Sequence, residues 1–213
     1  EPFRRLTEAG DEVLAITLSH KFSGTYESAV MAQESLSGRP IDVFDSLSVS
    51  IGLGLIVQEA LKMVEAGATR PEIIARLTRM RDQVHILFTL ETLEYLQKGG
   101  RIGRGQAFVG TLLKFKPLLG IKDGEVFPAT RVRTKHKALE TMLDLLAEEM
   151  PVRGPKVKLA VVHACAAEEA AEVEEALKKR FGSSDSFMST LGPVIGVHVG
   201  PGTIGAAVYA DET

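Results

Sequence analysis

Two hydrophobic rhythms take turns along this chain. Short apolar runs of strand type stand at 12–18, 41–44, 84–89 and 157–163. Between them, apolar residues recur at the spacing of one helix face. The helical stretches are 2–9, 25–37, 50–66, 134–149 and 167–181, with a further one opened by Thr69-Arg70-Pro71-Glu72. That tetrapeptide is a capping box, in which Thr and Glu each satisfy a backbone N–H that the first turn leaves unpaired. Behind it lie Ile73, Ile74, Leu77 and Met80, while helix 50–66 shows Ile51, Leu55, Val57, Leu61 and Val64 before Gly67 stops it. Short strands alternating with helices predict a parallel α/β sheet, since a crossover helix is what joins parallel neighbours.

The texture changes near residue 84. Helices over 90–97 and 105–114 are followed by apolar stretches 116–121 and 125–129 around Asp123-Gly124, the dipeptide of a tight hairpin. Two last apolar runs, 193–199 and 203–209, meet at Gly200-Pro201-Gly202, which places His198 at a strand end. Hairpins mixed with helices predict a mixed or antiparallel sheet. The reading is an α/β protein of two domains: 1–83, the remainder of an N-terminal parallel-sheet domain, and 84–213, a C-terminal α/β domain. A helical pattern is already running at Glu1-Pro2-Phe3, so the first domain is expected to open before residue 1.

Composition narrows the partners. Of 213 residues, 45% are hydrophobic and 25% charged, a globular balance, and the net charge of −3 argues against a nucleic-acid coat. The longest apolar run, 49–57, is interrupted by Ser50, Gly52 and Gly54. It is far short of the roughly 18 residues of a membrane helix, so no stable membrane insertion is expected. The single cysteine, Cys165, excludes an internal disulfide. Its place after an apolar strand predicts a buried, inert thiol, and a reducing cytoplasm fits.

The richest candidate chemistry is at the end of the first strand. Strand 12–18 empties into a polar loop that closes on Ser23-Gly24-Thr25, and a helix starts at once. The first N–H groups of a helix lack partners and carry partial positive charge, Gly24 lets a ligand approach, and two hydroxyls add donors, so the turn is suited to an anion. The alternative is an ordinary N-cap, in which Ser23 serves only its own helix. His198 has the same two readings, a ring N–H aimed at a ligand or a residue bonded to its own turn. The other histidines, His20, His85, His136 and His163, form no metal-ligand pair at helical spacing. Gly100-Arg101-Ile102-Gly103-Arg104-Gly105 follows a helix and lacks the strand of a dinucleotide fingerprint. From Lys98 to Lys137 the chain is strongly basic, opposed only by Asp123 and Glu125. That stretch is either a solvated face or a docking patch.

Taken in order, Ser19 to Ala29 with its Ser-Gly-Thr, Leu93-Glu-Tyr-Leu-Gln-Lys-Gly-Gly-Arg-Ile102, Lys116-Pro117, Arg131-Val132-Arg133 and Gly196-Val-His-Val-Gly-Pro-Gly202 resemble the DegV family of bacterial lipid-binding proteins. The resemblance implies a two-domain α/β carrier that buries one long-chain fatty acid and needs no other cofactor. Its carboxylate would be held by Ser23, with Thr25, Gly24 and His198 in the head-group region. The apolar 105–121 region, with Phe108, Leu112, Leu113 and Leu118 and also Val109, Phe115 and Leu119, is the candidate to line the tail, the alternative being plain core packing. A separate fatty acid kinase subunit would phosphorylate the bound acid, docking on Arg133, Arg131 and Arg101. A Thr-Ser-x-Pro motif that completes the clamp in the family would precede Glu1. Gly103, Val199 and His20 depart from the residues usual at their positions. The alternative reading is a phosphate-ester-binding enzyme that uses the Ser23-Gly24-Thr25 helix end. A third is a regulatory protein that uses the basic surface.

Overall fold

A computed structural model describes residues 1–109 and 115–211. The chain begins with α1 (Pro2–Glu8), β1 (Val13–Thr17), α2 (Thr25–Glu34), β2 (Ile41–Asp45), α3 (Ser50–Glu65) and α4 (Arg70–Met80). β1 and β2 pair in parallel, Val13 against Ile41 through Thr17 against Asp45. The capping box at Thr69 and Glu72 forms as read. Then come β3 (His85–Thr89), α5 (Glu94–Lys98), a 3-10 turn (Gly103–Phe108), β4 (Lys116–Lys122), β5 (Glu125–Val132) and α6 (Lys135–Glu149). The chain closes with β6 (Val157–His163), α7 (Ala167–Phe181), β7 (Ser186–Thr190), α8 (Pro193–Val199) and β8 (Ile204–Ala210). These later strands make one mixed sheet in the order β5-β4-β3-β8-β6-β7, antiparallel except for β6 with β7. The class is the expected one, a small parallel sheet followed by a larger mixed sheet.

Helices cover both faces of the six-stranded sheet. Met142, Leu143 and Leu146 of α6 and Val173, Leu177 and Phe181 of α7 pack against Leu118, Leu159, Val161 and Val208 on one face. On the other, Ile51, Leu55 and Ile56 of α3 and Leu77 and Met80 of α4 pack against Ile86, Ala160, Val162 and Ala207. Each such side chain, fully buried, contributes about 1.5–3 kcal/mol. A methyl group at Gly52 would stand 2.2 Å from Ile86 Cδ1, so α3 approaches β3 at backbone distance. The strands divide near residue 84, yet this apolar cluster runs across it, with Phe44 and Ile86 as members.

One buried charge network ties the two helices of that face to the sheet. Arg76, only 7% exposed, donates through Nε to Glu59 at 2.9 Å, and through Nη2 to Asp211 at 2.8 Å and to the Tyr209 hydroxyl. Lys62 donates to the other oxygen of Asp211 at 2.9 Å. Buried charges are tolerated because they face one another; removing one leaves the rest uncompensated. Burial also pushes the Tyr209 hydroxyl up to about 12.

Several expectations need correction. The run 193–199 is the helix α8, so His198 sits in a last helical turn and not at a strand end. Seven apolar residues do not separate strand from helix by periodicity; Pro193 at the first helical position decides it. β7 had no prediction because its Ser-Phe-Met-Ser-Thr alternates weakly; it forms by pairing with β6 at the sheet edge. The helix read over 105–114 is a 3-10 turn that ends at Phe108, and residues 110–114 are outside the described residues. Leu61 and Val64 share the period of Leu55 but are more than half exposed, bordering an apolar groove beside Leu14 and Ile16. Cys165 is exposed, because it takes φ +53° in the turn between β6 and α7.

Arg76→Ala is expected to lower unfolding stability by about 3–5 kcal/mol in chemical denaturation, since Glu59 and Asp211 lose their central cation. Tyr209 ionises near 10 in the unfolded chain and at about 12 in the fold. Its contribution is therefore complete below pH ~10 and is lost as pH rises toward ~12. Tyr209→Phe should remove that alkaline slope from a stability–pH profile.

Candidate functional site

The loop between β1 and α2 is held mostly by the other half of the chain. Ser19 is fully buried, and its hydroxyl donates to the Gly124 carbonyl at 2.7 Å in the β4–β5 turn. Phe22 packs on an apolar cluster of Phe88, Leu90, Leu93, Leu96, Ile102, Leu119, Val126 and Val199, joined by Phe108 and Val109. Arg101 donates through Nε to the Phe22 carbonyl at 3.2 Å and through Nη1 to the Gly99 carbonyl at 2.8 Å. Lys21 faces Glu125 at 3.9 Å.

At the tip of this loop, the Ser23 and Thr25 hydroxyls lie 2.8 Å apart, and Ser23 Oγ accepts from the Thr25 amide at 3.3 Å. The N-cap of α2 is Gly24, with no side-chain cap bond, so Ser23 stands one residue before the position that capping would need. No atom lies within 4 Å of the place a Gly24 side chain would take. Two neighbouring hydroxyls and an exposed glycine therefore stand together at the start of a ten-residue helix. This arrangement can accept an anionic head group, and it stands directly next to Phe22 and the apolar cluster beneath it.

His198 joins the same corner through the Gly99–Arg101 turn. A methyl at Gly99 would fall 2.1 Å from His198 Nδ1, so the ring lies against that backbone. Nδ1 is buried with no hydrogen-bond partner among the described residues. Of the candidate tail residues, Phe108 packs on the Phe22 cluster. Leu118 does not: it points to the α6 face, while its neighbour Leu119 points to Phe108, because successive strand residues face opposite ways. Leu112 and Leu113 lie outside the described residues.

The three arginines expected to dock a partner do not form one patch. Arg101 is engaged with the loop, near the start of β5, where Gly103 meets Val126. Arg131 and Arg133 lie at and beyond the other end of β5; both are exposed, and Arg131 stacks 5.6 Å over the Phe115 ring. Much of the basic stretch is paired with acids, its own and others. Lys98 meets Glu94, Arg104 meets Glu125, and Lys135 meets Glu91 and Glu169. Lys116 holds Glu91 below the usual carboxylate range. Among the described residues, no group of three metal-ligating side chains occurs, and no helix is long and apolar enough to cross a membrane.

A cleft of about 460 Å³ adjoins the Ser19–Gly124 contact, with Leu47, Ser48, Ile86, Ile121, Lys122 and Asp123 among its walls. Ile86 and Ile121 pair across β3 and β4 on the face that also carries Phe88 and Leu119. One continuous apolar face thus runs from beneath Phe22 to this cleft. Ser19 and Phe22 were missed in the candidate set. The alternation of β4 is what separates Leu119 from Leu118.

Known proteins resemble the whole of this architecture. A sequence model of the DegV family, described as uncharacterised, matches residues 1–211. A DegV domain-containing protein of Halalkalibacterium halodurans is 37% identical over 213 residues, 100% of this chain and 75% of its own length. A Thermotoga maritima protein described as a fatty acid-binding protein is 39% identical over 204 residues, 95% of this chain and 70% of its own. The structure of a DegV family protein from Thermus thermophilus, described by its fatty acid binding, superimposes with a TM-score of 0.93 at 34% identity, covering 99% of this chain and 75% of that one.

Arg101→Ala is expected to loosen residues 20–23 selectively. Their amide exchange should quicken by about tenfold while β6 is unchanged, because a single exposed hydrogen bond is worth roughly 0.5–1.5 kcal/mol.

Proposed function

This chain belongs to the DegV family, and on that premise we propose that it binds one long-chain fatty acid, with the carboxylate at Ser23 and Thr25 and the tail buried. The observation that carries this reading is the junction at Phe22: a pair of adjacent hydroxyls opens to solvent on one side of it, and an apolar cluster begins on the other. Gly24 admits the head group, and His198, with its unpartnered Nδ1, supplies a further polar contact in the same corner. The tail runs over Phe88 and Leu119, under Phe108, towards Ile86 and Ile121 and the cleft beyond them. Leu112 and Leu113 are retained as further tail contacts.

The energetics divide the work. About fourteen methylenes at ~0.8 kcal/mol each give on the order of 11 kcal/mol before ordering costs. Each hydroxyl bond to a carboxylate adds roughly 1.5–3 kcal/mol. The tail sets affinity and the hydroxyls set where the carboxylate stands. A clamp of hydroxyls leaves the carboxylate oxygens nucleophilic. The chain thereby acts as a cytoplasmic, non-catalytic carrier that presents the acid to a separate fatty acid kinase subunit, which docks on Arg131 and Arg133. Arg101 contributes by fixing the loop. Residues 1–83 and 84–213 act as two domains, with the head group at their meeting point.

Lipid extraction and native mass spectrometry should show one acyl chain per protein. Delipidated protein that takes up no added fatty acid, yet is stabilised by a water-soluble phosphate ester, would replace this reading with a phosphate-ester site on the same turn. Ser23→Ala should lower acyl phosphate formation with a partner kinase by tenfold or more, on the order of one charged hydrogen bond, and should lower lipid uptake much less. Equal loss of both contradicts the assignment.

A further inference from the structure

We propose that Ser19 is a positioning residue for the Ser23 loop, a buried hydroxyl that locks the loop to the tip of the β4–β5 hairpin. The proposal rests on the carboxylate reading of Ser23 and adds a residue that contacts no ligand. A hydroxyl with no solvent access must find partners inside the protein. Ser19 finds them in two separate segments. Its Oγ donates to Gly124 O at 2.7 Å, across 105 residues of sequence, and accepts from the Lys21 amide at 3.2 Å. Its own amide donates to Ser48 O at 2.8 Å, and its carbonyl accepts from the Phe22 amide at 3.0 Å. The β1–α2 loop, the β2–α3 loop and the hairpin tip therefore share one residue.

The hairpin is shaped for this contact. Gly124 takes φ +80°, and a methyl group there would stand 2.6 Å from Ser19 Oγ. Any side chain at 124 would displace the hydroxyl that the turn receives. On the solvent side, Ser23 is bonded, among the described residues, only to Thr25, two residues away. Exposed side chains hold residues 20–22 from outside, His20 Nδ1 on Asp45 Oδ2 at 2.6 Å, Lys21 facing Glu125 at 3.9 Å and Arg101 on the Phe22 carbonyl, and Ser19 holds the loop from inside. Arg101 is exposed and reaches the loop by a long flexible side chain; Ser19 is short and enclosed. The distance of Ser23 from the apolar cluster is accordingly set by Ser19 and Gly124 together.

Two variants approach the same bond from opposite sides, Ser19→Ala and Gly124→Ala, each made in the full chain. The measurements are affinity for palmitate and for methyl palmitate, and amide exchange in the ligand-free protein. Each variant should weaken palmitate about threefold, the lower end of one net hydrogen bond and no more than Ser23→Ala itself does, and leave the ester nearly unchanged. The double variant Ser19→Ala/Ser23→Ala should lose no more than Ser23→Ala alone, since both act on one contact. Amides 20–23 should exchange faster in both variants. Equal weakening of acid and ester, or a full additive loss in the double variant, overturns the proposal, as does unchanged exchange at 20–23. A wild-type protein that binds neither acid nor ester defeats the fatty-acid reading itself, and the ligand-free exchange then decides the role of Ser19 alone.

Discussion

The candidate site depends on a loop that cannot hold its own shape. Residues 19–23 form neither helix nor strand, and they are fixed by other segments: the Gly124 carbonyl, the Arg101 guanidinium and the apolar side chains under Phe22, with Asp45 and Ser48 nearer in sequence. A loop of this kind has its backbone ordered at a cost of about 1–2 kcal/mol per residue. Burial of Phe22 and three or four hydrogen bonds can offset that cost only if the β1–β2 layer is already seated on the six-stranded sheet. Formation of the head-group corner is thus coupled to the packing of α3 and α4 on that sheet.

That packing is apolar at its centre and ionic at its edge. Leu55, Ile56, Leu77 and Met80 exclude water, and Arg76 with Glu59, Asp211, Tyr209 and Lys62 closes the side towards the end of β8. Apolar contacts alone are tolerant of sliding. The charge network permits one alignment, because any other leaves a buried carboxylate or guanidinium unpaired. Correct seating at this edge in turn delivers Ser48 and Ser19 to the hairpin tip. This arrangement keeps the candidate polar turn at the surface of the junction and the rigid packing behind it.

The polar and apolar halves of the site answer to different physics. Hydroxyls at a helix start attract an anion over a short range and give direction. The apolar face of β3 and β4 supplies affinity without direction. Neither element alone distinguishes a fatty acid from an inorganic anion or from an ordinary core. The fatty-acid proposal rests on their adjacency at Phe22.

Much of this was legible in the residues. Periodicity located α3, α4, α6 and α7; Asp123-Gly124 located the hairpin; Ser23-Gly24-Thr25 before a helix marked the polar turn. These are local signals, fixed by backbone sterics and by the spacing of apolar side chains within one element. Other features escaped because they are decided by partners. Pro193 turned an apolar run into α8, β7 exists through β6, Cys165 is turned outward by a left-handed backbone, and Lys116 and Lys135 are paired with Glu91 and Glu169, acids outside the basic stretch. The sequence by itself determined which elements form and which turn carries hydroxyls. Only the tertiary structure decided that Ser19 reaches Gly124 and that Leu119, not Leu118, faces Phe108, since contacts between segments far apart follow from how sheets and helices stack and not from any spacing along the chain.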